Sequence, residues 1–330
     1  MAISPTTFER SIHELFLDLL HKQWCAMGIP LNVRQSHPNE VIDPDALLWA
    51  SLEFFPTQPR LLEQVLAWRA TFAGSLSFHR LRKFATANAD PRALIFNEID
   101  RLLFPWQSIS SQKKKLPASL PTKPCYGLSS MEELQAFCAG LDKHLRKYVS
   151  RQTSPRNKPG KPESTCATII LRARHVLDTD AKHFILVYLL ANPGGARLQS
   201  IAQWAGQTYQ NLAKTAKHWE AANVISMEHG YARLKKPANW ADILGLKQTP
   251  QQPIVLVNWP RFFDACVTLL RYLAAAAAKS LPADGPVVTR VISKAAEKID
   301  DSVVSDAPSP TVGDFVNILL DHLEKNFTWK

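Results

Sequence analysis

Cysteine, glycine and long apolar runs are all scarce in this chain. Five cysteines in 330 residues (Cys25, Cys125, Cys138, Cys166 and Cys266) are an odd number, far apart and without a C-x-x-C pair. They indicate neither a disulfide framework nor a zinc site. No apolar run reaches the roughly 18 residues that a membrane span requires. Glu9, Glu14 and Asp18 interrupt the first amphipathic segment, which therefore does not read as a signal peptide. The expectation is a cytoplasmic protein with no membrane partner. The 12 glycines nowhere form a phosphate loop: there is no G-x-G-x-x-G after a strand and no G-x-x-x-x-G-K. H-E-x-x-H and G-x-S-x-G are missing as well. Asn192-Pro193-Gly194-Gly195, without a following Lys-Ser/Thr, reads as a loop connecting two helices. His175 and His183 read as surface and core-edge histidines. No catalytic residue, metal site or cofactor is expected, and the chain does not read as an enzyme.

Positive charge is what the chain has in excess. Lys and Arg number 39 against 29 Asp and Glu, a net charge of +10, which favours an anionic partner without locating it. Residues 1–150 carry 17 basic and 14 acidic side chains, residues 151–247 carry 14 and 6, and residues 248–330 carry 8 and 9. The middle of the chain is therefore where phosphate neutralisation would concentrate.

The flanks read as helical, which makes the fold class mainly α. In residues 1–110, Ile12, Leu15, Phe16, Leu19 and Leu20 form one helical face that stops near Gly28. Asp43-Pro44 and Asp90-Pro91 each place an N-cap before a proline at the first helical position. Pro59 opens a further helix through Trp68 and Phe72, and Trp49, Phe54, Phe55, Trp68 and Trp106 read as core aromatics rather than a partner surface. Residues 111–128 read as a Pro- and Lys-containing linker, and residues 129–163 as a helix with capping boxes at Ser129 and Ser130 followed by a basic segment. That segment, with Arg156, Lys158 and Lys161, is either an arm along DNA or a solvated linker. In residues 249–330 the apolar faces at Phe262, Phe263, Leu270, Phe315, Ile318 and Leu319 require cover, from the N-terminal domain or from a second subunit.

The centre, residues 164–248, carries the pattern with most information. Leu198, Ile201, Ala202 and Ala205 recur at helical spacing, and Gly206 stands where that helix must stop and reverse. Thr208 is placed to cap a second helix, from about Thr208 to Ala222, whose stripe is Leu212, Ala216 and Trp219. Asn223 suits a left-handed helix end. Val224 to Glu228 and Tyr231 to Lys235 alternate like strands about a His229-Gly230 turn. The apolar segment Ala181 to Ala191 reads as the supporting helix.

Ala202, Gly206 and Leu212 match the small residue, turn glycine and aliphatic residue of helix-turn-helix proteins, and with the hairpin the segment resembles a winged helix-turn-helix DNA-binding regulator. The resemblance implies a double-stranded DNA partner. On it, Thr208, Tyr209, Gln210, Asn211, Lys214, Lys217 and His218 on the recognition helix and Arg233, Lys235 and Lys236 on the wing are the DNA-contacting residues. It also implies a homodimer reading two half-sites. The architecture alone is similar to antitoxins or accessory proteins of bacterial toxin and defence systems, which implies a toxin or defence component as partner and repression of the chain's own operon.

Overall fold

A computed structural model describes residues 5–31, 39–87, 90–103, 124–151, 159–162, 165–177, 181–246, 253–278, 286–304 and 309–326. The fold is mainly helical, with 14 helices among the described residues and one small antiparallel sheet. The arrangement follows from two hydrophobic clusters. The larger unites helices from both ends of the chain and is called the scaffold below; the smaller, formed by the centre, is called the module.

The scaffold begins with α1 (Pro5–Ala26), α2 (Pro44–Ser51), α3 (Pro59–Thr71), α4 (Phe78–Ala87) and α5 (Arg92–Leu103). The capping chemistry acts as the sequence indicates. The Asp43 carboxylate accepts hydrogen bonds from the amides of Asp45 and Ala46 (3.1 and 3.2 Å), and Asp90 accepts from the amide of Arg92 (2.9 Å). Gly28 ends the first helical segment at φ 95°, where a side chain would strike the Gly160 carbonyl. Phe54, Phe55 and Trp68 are fully buried and Trp49 nearly so; Trp106 lies outside the described residues. Helix α6 (Met131–Arg151) packs on α5. Residues 111–123 of the expected linker, and Arg156 and Lys158 of the basic segment, also lie outside the described residues.

The C-terminal helices α12 (Trp259–Ala278), α13 (Pro286–Asp300) and α14 (Pro310–Asn326) complete the scaffold by packing on α1 and on one another. Phe263 stacks on Phe16 of α1 at 5.7 Å, and Phe315 meets Phe16 and Phe262 edge-on at 6.5 and 5.1 Å. Phe262, Phe263, Leu270, Phe315 and Leu319 are buried within one chain, so their apolar faces supply no argument for a dimer. Ile318 departs from the expected stripe and is 38 % exposed.

The module comprises α7 (Ile169–Leu177), α8 (Ala181–Ala191), β1 (Ala196–Arg197), α9 (Leu198–Ala205), α10 (Tyr209–Ala221), β2 (Ile225–Glu228), β3 (Tyr231–Leu234) and α11 (Pro237–Ile243). The strand order is β1-β3-β2, all antiparallel. Residues 192–195 therefore lead into a third strand, not directly into a helix as expected. A two-residue strand has too short an alternation to be read from sequence.

Module and scaffold share a charged joint. Asp45 of α2 is fully buried and receives Arg174 of α7 through two guanidinium nitrogens (3.1 and 2.6 Å) and Arg80 of α4 at 3.2 Å. Arg80 also bonds Asp43, and Arg174 donates Nε–H to Nε2 of His183 at 3.2 Å and Nη1–H to the Ser75 carbonyl at 2.6 Å. His183 is thus fully buried in the joint, not at a core edge. Burial alone would raise the Asp45 carboxyl, but the guanidinium groups of Arg174 and Arg80 outweigh it and hold the carboxyl below its ordinary range. The returning chain adds backbone ties: Val255 bonds Asn39 and Val41, and the Trp204 indole donates to the Val257 carbonyl at 3.1 Å. These contacts fix the module's orientation on the scaffold.

Candidate nucleic-acid interface

The local geometry of α9 and α10 follows from their end residues. Gly206 takes φ 62°, ψ 30°, and its amide closes on the Ala202 and Gln203 carbonyls, so α9 stops and the chain reverses within two residues. The Thr208 hydroxyl accepts from the Asn211 amide at 3.4 Å, which starts α10. Leu212, Ala216 and Trp219 are buried against α8 and α9, and Asn223 ends the helix at φ 61°. Trp219 is held from below by a parallel stack with Trp240 of α11 (6.2 Å, 11°), a helix the sequence reading did not anticipate. With three positions locked inward, α10 cannot rotate about its axis, and the identity of its outward face is fixed.

That face carries Tyr209, Gln210, Asn211, Lys214, Lys217 and His218, all exposed, with Thr208 exposed at its start. Gln210, Lys214 and Lys217 fall at i, i+4 and i+7, while Asn211, Lys214 and His218 fall at i, i+3 and i+7, so two rows share Lys214. Lys214 and Lys217 form no ion pair with any described residue. The two amides differ: Asn211 donates to the Gln207 side chain at 3.3 Å, whereas Gln210 makes no side-chain hydrogen bond within the described residues.

The hairpin is as tight as a two-residue turn allows. His229 (φ 50°) and Gly230 (φ 80°) both sit in the left-handed region, the mirror-image turn whose twist matches flanking strands. Ile225, Ala232 and Leu234 point inward, and Tyr231, Arg233 and Lys235 outward. The three expected wing cations are not equivalent. Lys235 is engaged with the Asn223 side chain, Arg233 donates Nε–H and Nη2–H to the Gly194 carbonyl (3.2 and 3.0 Å), and Lys236 is exposed in a left-handed conformation just before Pro237. Two neighbours on the same outer surface escaped sequence reasoning: Arg197 of β1, whose guanidinium lies 5.9 Å from the Tyr231 ring centre, and Tyr231 itself, 47 % exposed. The sequence signal for Tyr231 is the alternation of β3; the two-residue β1 gives none for Arg197.

Between residues 181 and 246 seven Lys and Arg stand against three carboxylates, Glu220, Glu228 and Asp242. No cluster of three or more potential metal ligands occurs among the described residues, and no described helix is long and apolar enough to cross a membrane. Comparison of the chain with protein-family models, curated proteins and solved structures finds no match.

Proposed function

We propose that this chain is a transcriptional regulator that binds double-stranded DNA through a winged helix-turn-helix, with α10 as its recognition helix in the major groove. The observation that carries the reading is the outward face of α10. A helix locked by Leu212, Ala216 and Trp219 presents amides at its N-terminal end and, behind them, lysines that form no ion pair among the described residues. Asn and Gln amides can bond adenine N6 and N7 in pairs, and lysine ammonium groups hold phosphates, so one surface combines sequence reading with backbone affinity. Gln210 is the stronger candidate for base contact, because Asn211 must first release Gln207.

Two measurements test this. Full-length protein titrated against duplex DNA by fluorescence anisotropy should weaken steeply with salt, with a log-log slope of about −0.9 per phosphate contact. Selection from random duplexes should show Gln210→Ala losing about 1 to 3 kcal/mol of preference at an individual base pair, with Asn211→Ala losing less. Salt-insensitive binding, or identical preferences for wild type and a Gln210/Asn211 double variant, sinks the reading.

Burial of the C-terminal helices within one chain favours a monomer over the half-site dimer that the resemblance implies. It also favours, as a second reading, an antitoxin-like or accessory protein whose scaffold surface engages a toxin or defence component while the module represses the operon. Sedimentation of the DNA-bound chain separates the two: a two-fold dimer on a palindromic site removes the second reading's advantage.

A further inference from the structure

Helix α11 has seven residues, too few to persist alone in water. Its ends are set by left-handed residues, Lys236 before it (φ 54°) and Gly245 after it (φ 62°). The Gly245 and Leu246 amides close on the Asp242 and Ala241 carbonyls, both at 2.9 Å, which finishes the last turn. Leu244 is buried in the module's core, and the half-buried Trp240 lies flat on Trp219. That stack meets α10 in its last turn, at the opposite end from the Gly206 reversal and the Thr208 cap.

The foot of α11 is tied to α7. The Arg172 guanidinium donates to the Leu244 carbonyl, just past the end of α11, and to the Thr165 carbonyl ahead of α7. Arg172 and Arg174 stand two positions apart on α7 and therefore point about 200° apart around its axis. Arg174 faces the scaffold, where it meets Asp45, and Arg172 faces α11. The last turn of α10 is thus braced against the scaffold through a continuous set of contacts: Asp45 to Arg174, Arg172 to α11, and Trp240 to Trp219. The brace acts at the end where leverage is greatest. With 13 residues α10 is about 20 Å long, so a tilt of about 10° about its N-terminal end carries the other end through about 3 Å. Gln210 stands near the pivot and Lys217 near the moving end. A shift of that size keeps both near a duplex but stops them from reaching their groups together, because a binding constellation is productive only within narrow limits of position and angle.

We propose that Trp240 and Arg172 are positioning residues for base reading, which prop the C-terminal end of α10 at the tilt where Gln210 and Lys217 engage one duplex at the same time; the assignment rests on the duplex-binding reading above. The test uses full-length variants and two readouts. Without DNA, amide hydrogen exchange in Trp240→Ala should quicken in the last two turns of α10, with wild-type protection kept in α8 and the scaffold. With DNA, Trp240→Ala and Arg172→Ala should each lose severalfold in preference for a selected duplex over a scrambled one. Both should keep the wild-type salt slope, because the cations of α10 are untouched. Lys217→Ala should do the reverse, lowering the slope by about 0.9 with a smaller effect on preference. Trp240→Phe, which retains a stacking ring, should restore most of the preference, and Arg172→Gln, whose amide can hold one of the two carbonyls, should fall between. If exchange quickens throughout the module, these residues hold the fold together without setting the tilt, and the proposal fails. Unchanged exchange and preference in Trp240→Ala and Arg172→Ala also overturn it and leave the α10 reading standing. Absence of salt-dependent, sequence-selective duplex binding by the wild-type chain overturns both.

Discussion

The scaffold and the module dispose of their charges in opposite ways. In the scaffold's interior the ionic groups are buried and paired, although other scaffold charges, such as Arg10 and Glu14, lie at the surface. Glu53 is fully buried and receives the Arg271 guanidinium and the Tyr126 amide, Arg92 is bonded to Asp90 at 3.0 and 2.6 Å, and Asp45 is enclosed by Arg80 and Arg174. In the module the cations of α10 are exposed and form no ion pair among the described residues. Desolvated charges need partners to persist, so these buried arginines are occupied by structure. The module's surplus costs little to maintain in solvent and stays available to a polyanion. A net charge of +10 does not by itself distinguish the two kinds of arginine; burial does.

The largest test of this contrast is removal of the C-terminal helices. Truncation after Leu246 strips α12, α13 and α14 from the face of α1 that bears Phe16, exposing a large apolar surface. The truncated chain should lose cooperative unfolding and the near-ultraviolet circular dichroism of its packed aromatics. A truncation that stays monomeric with a sharp urea transition contradicts the single scaffold core.

Next in size is the joint. Asp45→Ala leaves Arg80 and Arg174 buried without their shared carboxylate, and breaking such a pair costs about 3–5 kcal/mol. Lys217→Ala, on the exposed face of α10, should alter stability by no more than about 0.5 kcal/mol. Guanidinium denaturation of the two variants gives the comparison directly; equal midpoints abolish it.

A smaller effect appears in acid. Burial would raise the Asp90 carboxyl, but bonding to Arg92, its charge and that of Arg271 hold it down to about 2, and Asp45 is likewise held below its ordinary range. Because the folded-state values lie below the unfolded ones, the stability these groups contribute is complete above the unfolded carboxylate pKa of about 4. It is lost as pH falls through the folded values. Denaturation midpoints should therefore be insensitive to these groups above pH ~4.5 and decline toward pH ~2. In an Asp90→Asn variant that decline should be shallower. A wild-type midpoint unchanged down to pH ~2 refutes the assignment.

Much of the module's local geometry was legible because its signals act over a few residues. Gly206 and Asn223 adopt left-handed conformations at helix ends, Thr208 caps α10, and His229-Gly230 forms the turn, each a signal carried by the residue at that position and its immediate neighbours. The outward row of α10 was legible for the same reason, since Leu212, Ala216 and Trp219 define the inward one. Arg197 was missed because the two-residue β1 gives no period, and it acquires Tyr231 as its neighbour only when β1 pairs with β3.

What the sequence alone determined is where helices begin and end, which of their faces are apolar, and where positive charge accumulates; all three depend on neighbours within a few positions. Only the tertiary structure decided what covers those faces and which charges remain free. Asp45 and Arg174 are 129 positions apart, and no periodicity connects them. Likewise α12 and α14 have an apolar stripe that serves a dimer or a single core equally well. Within the one chain α1 covers α12 and α13 covers α14, because hydrophobic attraction is non-directional and the chain's own geometry selects the partner surface.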